Sequence, residues 1–490
     1  MPGDGQVLTY AQVAASVEAL ASQLAATGVR AGDRVAFTLP NGPEFALLLL
    51  AITSLGAAAA PLNPAYTETE FGFFLTDIAP RVFLVPAGRI AAAASAAGAT
   101  GTPVVSVDTP AGGPPVLTPA GPPAGPPAGP ASKPGPGDVG RPDDVAVILH
   151  TSGTTSRPKQ VPLRHRNLTA SARTIAAHYQ LGPDDVSFCV MPLFHIHGIV
   201  ASTLATLGSG GTVVVPRRFT PHRFWPQARE HRATWLSAGP TLHRMILDQA
   251  DPEGPPATLR FTRSCSSALS PALLERAEAV YGVPMLEAYG MTEASHQMAS
   301  NPLPPAARRP GSVGVATGTQ IAVASPEGTL LPDGSAGEVV IRGPGVMDGY
   351  VANPEATAAA FFGDWFRTGD LGSLSGGYLT LVGRLKEMII RGGENIAPAE
   401  IEQVLMTHPA VREAVCFGVP DDKYGELVGA AVTLSQPAQT SELADHCRGQ
   451  LASFKVPTQI TVLTEIPHTA TGKIQRRRVA EHVAAGRNPS

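Results

Sequence analysis

The chain has 490 residues, 43% of them hydrophobic, and a formal net charge of −4. That length exceeds one ordinary domain and the apolar share fills large cores, so two or more domains are expected. The near balance of charge argues against nucleic acid or an anionic membrane surface as the main partner.

From the start, Leu8 to Gly28 has helical apolar spacing, Arg34 to Leu39 reads as a strand, and Glu44 to Leu55 reads as a second helix. This is α/β layering. The apolar run Phe45–Leu62 is interrupted by Thr53, Ser54 and Gly56 and bounded by Glu44 and Pro61, which suits a buried helix and strand better than a membrane span. Residues 109–142 are so rich in Pro, Gly and Ala that a surface loop or linker is expected there. The run Val145–Leu149 reads as a buried strand, followed later by apolar runs at Val186–Met191, Thr212–Val215 and Thr234–Ala238. Short strands and glycine turns over 320–382 predict a small β-rich subdomain. Beyond Gly383, helices at Ala399–Met406 and Thr440–Leu451 and strands at Ala414–Val419 and Leu427–Leu434 predict a compact unit of its own. The domains expected are therefore 1–383 and 384–490.

The least core-like stretch is Leu149 to Leu163, Leu-His-Thr-Ser-Gly-Thr-Thr-Ser-Arg-Pro-Lys-Gln-Val-Pro-Leu. Small hydroxyl residues Thr151, Ser152, Thr154 and Thr155 surround Gly153 and are followed by Arg157 and Lys159. Freed backbone N–H groups, hydroxyls and a lysine charge are the elements of a phosphate cradle. The spacing is not that of the common Gly-x-x-x-x-Gly-Lys-Ser/Thr loop, and on these residues alone a polar turn between strands fits as well. Four further islands follow: Pro192–Gly198 (Pro-Leu-Phe-His-Ile-His-Gly); Tyr289–Glu293 (Tyr-Gly-Met-Thr-Glu); Thr368–Asp370 with Gly383–Lys386; and Thr471–Arg477. Singly, His195 and His197 also read as satisfied core histidines, Glu293 as a surface carboxylate, Asp370 as a turn former and the basic tail as a solvated face. The four cysteines, Cys189, Cys265, Cys416 and Cys447, lack disulfide or metal-ligand spacing, and Met1–Gln6 lacks the basic and apolar regions of a signal peptide. A cytoplasmic location is expected.

All five islands, in this order and at these separations, resemble the acyl-CoA ligases of the adenylate-forming superfamily. The resemblance covers nearly the whole chain, although members usually carry more residues before the Leu8–Tyr10 segment. Leu149–Lys159, Phe194–Gly198, Ser264–Leu269 and Met291–Met298 are most similar to the oxalyl-CoA synthetase group.

The resemblance implies a fold and a set of roles. The fold is α/β: a large N-terminal region of layered α/β subdomains with a small β-rich subdomain, then a mobile α+β C-terminal domain hinged near Lys386. The reaction joins a carboxylic acid to AMP through ATP, then hands the acyl group to the coenzyme A thiol. Thr151, Ser152, Gly153, Thr154, Thr155, Lys159 and Gln160 would cradle phosphate. Ser266, Ser267 and Ala268, with Glu287, Tyr289, Gly290, Met291 and Thr292, would build the adenine pocket. Asp370 would grip the ribose with Arg384 beside it. Glu293 matches the Mg2+ ligand, with Thr155 as a second, and Lys473 matches the lysine that reaches the carboxylate and α-phosphate. His195 matches the gate of the acyl pocket; His197, His296 and Gly290 fall on its acid side. Gly392 and Gly393 would face CoA, and Lys386 is the pivot for rotation between half-reactions.

Two residues depart from the family pattern: Gly290, where the oxalyl-type pattern has alanine and a smaller residue would admit a bulkier acid, and, with more consequence, Gln160. After Pro158-Lys159 the family has glycine, and this chain has Gln160, whose side chain in or against the cradle would obstruct the β- and γ-phosphates while sparing the AMP half. The leading expectation is therefore a ligase that makes a CoA thioester from an acyl-adenylate supplied by a separate adenylating ligase. The alternative is a complete ATP-dependent enzyme acting on oxalate or another small acid, with Gln160 turned outward. A non-catalytic paralogue and a carrier-protein loader are weaker readings. A monomer or homodimer is expected, with no nucleic acid partner and no membrane span.

Overall fold

The structure, a computed structural model, describes residues 7–88, 90–110, 114–119, 140–151, 158–469 and 473–486. The chain forms two compact units. The first comprises Met1–Thr220, Met291–His296 and Pro344–Ala358; the second comprises Pro221–Gly290, Gln297–Gly343 and Ala359–Ser490.

The first unit is built on a seven-stranded sheet. Its strands run, from one edge to the other, Val116–Pro119, Val104–Asp108, Val82–Pro86, Arg34–Phe37, Ala58–Pro61, Val145–Thr151 and Lys159–Arg164. The five inner strands are parallel and both edge strands antiparallel. Helices Tyr10–Ala26 and Pro43–Ser54 alternate with the first strands, as the periodicity predicts, and a third helix, Glu68–Ile78, follows. Two of them open on capping boxes, Thr9 with Gln12 and Thr67 with Glu70, in which each side chain satisfies a backbone N–H at the other's position. Phe71, Phe74, Leu75 and Ile78 then bury one helix face against Phe83, Val85 and Ile148 of the sheet. The apolar run Phe45–Leu62 is indeed a buried helix followed by a strand. No helix among the described residues is long and apolar enough to cross a membrane.

The expected loop at 109–142 needs correction. Its described part contains the strand Val116–Pro119, paired with Val104–Asp108 in the register Val107↔Leu117. The strand buries Leu117, and the N–H of that residue donates to Gln23 Oε1 at 2.8 Å. A neighbouring strand edge supplies the hydrogen bonds that the local composition does not suggest.

In the second unit, parallel strands Trp235–Ala238, Phe261–Ser264 and Met285–Met291 are buried along nearly their whole length, as in a sheet covered on both faces, although Thr262, Arg263, Ser264 and Glu287 lie among them. The expected β-rich region is an antiparallel series, Gln320–Ala324, Ala336–Arg342, Trp365–Ser375 and Tyr378–Arg384. Directly after Arg384 a short turn, Leu385–Glu387, leads into a five-stranded sheet. That sheet pairs Ile389–Arg391 with Glu394–Ile396, Val411–Asp421 with Gly425–Leu434, and Gly425–Leu434 with Gln459–Val462. Helices Pro398–Met406 and Thr440–Arg448 bring Ile401, Leu405, Leu443 and Cys447 to its core. All four cysteines are buried and free, as their spacing implies.

Candidate active site

The predicted site residues fall into two groups, one in each unit. In the first unit, strands Val145–Thr151 and Lys159–Arg164 pair with Thr151 opposite Lys159 and His150 opposite Gln160. Ser152, Gly153, Thr154 and Thr155 lie outside the described residues. Successive strand side chains point to opposite faces, so Lys159 and Gln160 diverge. Lys159 Nζ sits 4.4 Å from the ring centroid of Tyr350. The Tyr350 hydroxyl donates to Glu293 Oε1 at 3.2 Å, and burial together with that carboxylate pushes the phenol upward, so it stays a donor. Glu293 is buried on the turn Thr292–Ala294, and its carbonyl accepts from Met347 N at 2.8 Å.

Gln160 is 8% exposed, and its Nε2 donates to both the carbonyl and Oδ2 of Asp77 at 2.7 Å. Asp77 Oδ2 is also 3.0 Å from His150 Nε2. The amide is therefore held at the end of helix Glu68–Ile78, on the strand face opposite Lys159. Of the phosphate cradle in or against which this side chain is expected to lie, residues 152–157 fall outside the described ones; at Gln160 itself, the partly buried Asp77 carboxylate and its helix-end carbonyl take the amide N–H groups.

The Phe-His-Ile-His-Gly island opens a π-helix, His197–Leu204, a form common at functional sites and invisible to a 3.6-residue period. Gly198 is required there, because a Cβ would stand 2.4 Å from the Pro192 carbonyl oxygen. His195 is half-buried and its Nδ1 accepts from His197 N at 3.3 Å. The rings of His197 and His296 are buried and stacked, 4.6 Å between centroids and 26° between planes. Ser295 and His296 both have positive φ, 53° and 102°; backbone strain of this kind in non-glycine residues gathers at functional sites. Four residues, Glu293 to His296, thus bring a carboxylate and an imidazole into one short turn.

In the second unit, Asp370 stands opposite Arg384 on paired strands, with Arg384 Nε 3.0 Å from its Oδ1. The Tyr289 hydroxyl donates to Asp370 Oδ2. Burial pushes the Asp370 carboxyl up, and Arg384, Tyr289 and Lys473 pull it back down. Lys473 is thus one of the charges that favour the ionised form of this carboxylate. Strand Phe261–Ser264 is followed by Ser266, with φ 81°, and the exposed Ser267 and Ala268. Glu287 is buried, and its Oε2 accepts from Gly311 N at 3.0 Å. Burial raises its carboxyl to about 7, and that hydrogen bond opposes the rise. Gly290, Met291 and Thr292 are half-buried at the end of the strand from Met285.

Lys386 is exposed on the turn after Arg384. Gly392 and Gly393 have φ 60° and 89° and join strands whose register pairs Arg391 with Glu394. A two-residue hairpin with both central φ positive selects glycine for conformational reasons alone, whatever the pair also touches. Two residues escaped the sequence reading: Tyr350, whose only signal is its place after Gly349, and Asp77, which helical periodicity leaves on a polar face. A cavity of about 440 Å³ at the carboxyl ends of the first unit's strands, lined by Leu39, Pro86, Val107 and Arg217 among others, contains none of the predicted site residues.

Comparison with known proteins agrees with the arrangement of motifs. The AMP-binding enzyme family matches residues 1–351, and the AMP-binding enzyme C-terminal domain matches residues 400–473. An oxalate–CoA ligase of Arabidopsis thaliana is 44% identical over 485 residues, covering 97% of this chain and 93% of that protein. An oxalate–CoA ligase of Saccharomyces cerevisiae is 42% identical over 481 residues, covering 94% and 88%. The crystal structure of ATP-bound MatB from Rhodopseudomonas palustris superposes with a TM-score of 0.87 at 32% identity, covering 97% of this chain and 94% of MatB. The chain belongs to the family of AMP-binding enzymes, and within the adenylate-forming superfamily it is an acyl-CoA ligase.

Proposed function

We propose that this ligase is a complete two-step enzyme, which activates a small dicarboxylic acid with ATP and passes the acyl group to coenzyme A. The observation that carries the proposal is the hold of Asp77 on Gln160. A donor of acyl-adenylate would be needed if residue 160 blocked pyrophosphate, and a side chain tied behind the strand supports the self-sufficient reading over that one.

In the first step a carboxylate oxygen of the acid attacks the α-phosphorus of ATP, and the bond to pyrophosphate breaks. Lys159 offers charge to the phosphates, and Lys473 offers charge where the carboxylate and α-phosphate meet. Glu293 would hold Mg2+, which neutralises phosphate charge when bound. The fit is chemical: a buried carboxylate is a hard oxygen donor, and one such ligand suits an ion that keeps waters and phosphate oxygens as its others. Asp370 accepts from ribose hydroxyls, with Arg384 holding its orientation. In the second step the CoA sulfur attacks the acyl carbon and AMP leaves with the bonding pair. Rotation about Lys386, which would bring Gly392 and Gly393 to the CoA path, belongs to this reading.

The substrate class rests on the stacked His197 and His296 beside Glu293, whose imidazole N–H groups suit a second carboxylate. The names of the two relatives at 44% and 42% identity support oxalate as the first acid to try. The test is pyrophosphate release and thioester formation across oxalate, malonate, sulfoacetate and monocarboxylates. Turnover of monocarboxylates alone would remove the dicarboxylate assignment.

A further inference from the structure

The segment Pro344–Val351 lies as a strap across the site residues of the first unit. Asn167 Nδ2 donates to the carbonyls of Pro344 and Val346 at 2.8 and 3.1 Å. Asp348 receives Arg164 Nε at 2.6 Å and Arg166 Nη2 at 2.8 Å. Val351 N donates to the Gln160 carbonyl at 3.1 Å and Met347 N to the Glu293 carbonyl at 2.8 Å. Tyr350 is thus pinned between the strand of Lys159 and the turn of Glu293, with its own N–H on Thr357 Oγ1 at 3.0 Å. Its two ends meet opposite charges: the ring face takes the Lys159 ammonium at 4.4 Å, and the hydroxyl takes the Glu293 carboxylate at 3.2 Å.

We propose that Tyr350 is a positioning residue for adenylation, holding the phosphate lysine by its ring and the metal-binding carboxylate by its hydroxyl so that each stays aimed at its own part of the metal–nucleotide complex. The physical ground is that a long lysine and a flexible carboxylate on separate elements otherwise sample many rotamers, and ordering them in advance lowers the cost at binding. The two contacts are separable. A ring without the hydroxyl keeps the attraction for the ammonium and loses the bond to the carboxylate. The proposal rests on the reading that Glu293 and Lys159 serve the metal and the phosphates.

The experiment compares Tyr350→Phe and Tyr350→Leu in the full chain. Manganese binding in the presence of ATP is followed by electron paramagnetic resonance, beside pyrophosphate release and thioester formation from synthetic acyl-adenylate. Tyr350→Phe should weaken manganese binding about tenfold with little change in the KM for ATP at saturating metal. Tyr350→Leu should add roughly a threefold rise in that KM. Thioester formation from supplied adenylate should stay within about twofold in both, which a general loss of folding would not allow. Unchanged manganese binding in Tyr350→Phe, or equal loss in both half-reactions, overturns the proposal. If the wild-type enzyme releases no pyrophosphate with any acid yet binds manganese–ATP more tightly than Tyr350→Phe, the two-step reading fails while the hold of Tyr350 on the metal-binding carboxylate stands.

Discussion

Gln160 shows how much depends on the face from which a strand residue departs. Its position one residue after Lys159 is visible in the sequence, but its direction is set by Asp77, eighty-three positions earlier, and no local pattern carries that pairing. Glu287 shows the same dependence on burial. The folded protein holds its proton up to about pH 7, whereas the ordinary value is 4.5. Between those values the folded chain binds more protons than the unfolded one, so the stabilisation is complete below about 4.5 and is lost as pH rises through 7. Glu287→Gln keeps an acceptor for Gly311 N and removes the charge, so the variant should gain on the wild type between pH 5 and 8, by about 1–3 kcal/mol. Thermal unfolding of both proteins across that range checks the sign; a gap that stays constant with pH would refute it.

At the scale of elements, the strongly periodic stretches were legible: helix Pro43–Ser54, strand Val145–Thr151 and helix Pro398–Met406 fall within two residues of their expected bounds. The misses have physical causes. Strand Val116–Pro119 exists because the preceding strand Val104–Asp108 offers it an edge, a pairing that outweighs a Pro- and Gly-rich context. The π-helix at His197–Leu204 replaces the helical period with one that the expected patterns do not include. Its start also yields a prediction. Gly198→Ala would drive a Cβ against the Pro192 carbonyl, and relief by backbone shift should cost about 1–3 kcal/mol and disturb the His197 ring. A lowered Tm together with a raised KM for the acid is expected, and a variant with wild-type values of both would show that the turn is looser than drawn.

For the whole molecule, the order of the five islands pointed to the superfamily and its two-step chemistry, because each island pairs a chemical role with a fixed place in the chain. What the sequence did not convey is how the roles are wired: Tyr289 and Arg384 converge on Asp370, and Lys473 acts on the same carboxylate. The proposed role of Lys473 in adenylation makes a prediction. Lys473→Ala should therefore depress pyrophosphate release by at least a hundredfold while leaving thioester formation from supplied adenylate within a fewfold. Equal damage to both steps would argue against separate placements of the C-terminal domain for the two half-reactions.

The central claim, that one chain performs both half-reactions, is met most directly by measuring pyrophosphate release from ATP and oxalate in the wild type and in Gln160→Gly, without any partner enzyme. With Gln160 tied to Asp77, the wild type should release pyrophosphate at a rate matching its thioester formation, and Gln160→Gly should gain nothing. A wild type that converts synthetic oxalyl-adenylate to the thioester yet makes none from ATP, with activity recovered in Gln160→Gly, would contradict the account and restore an adenylate supplied by another ligase.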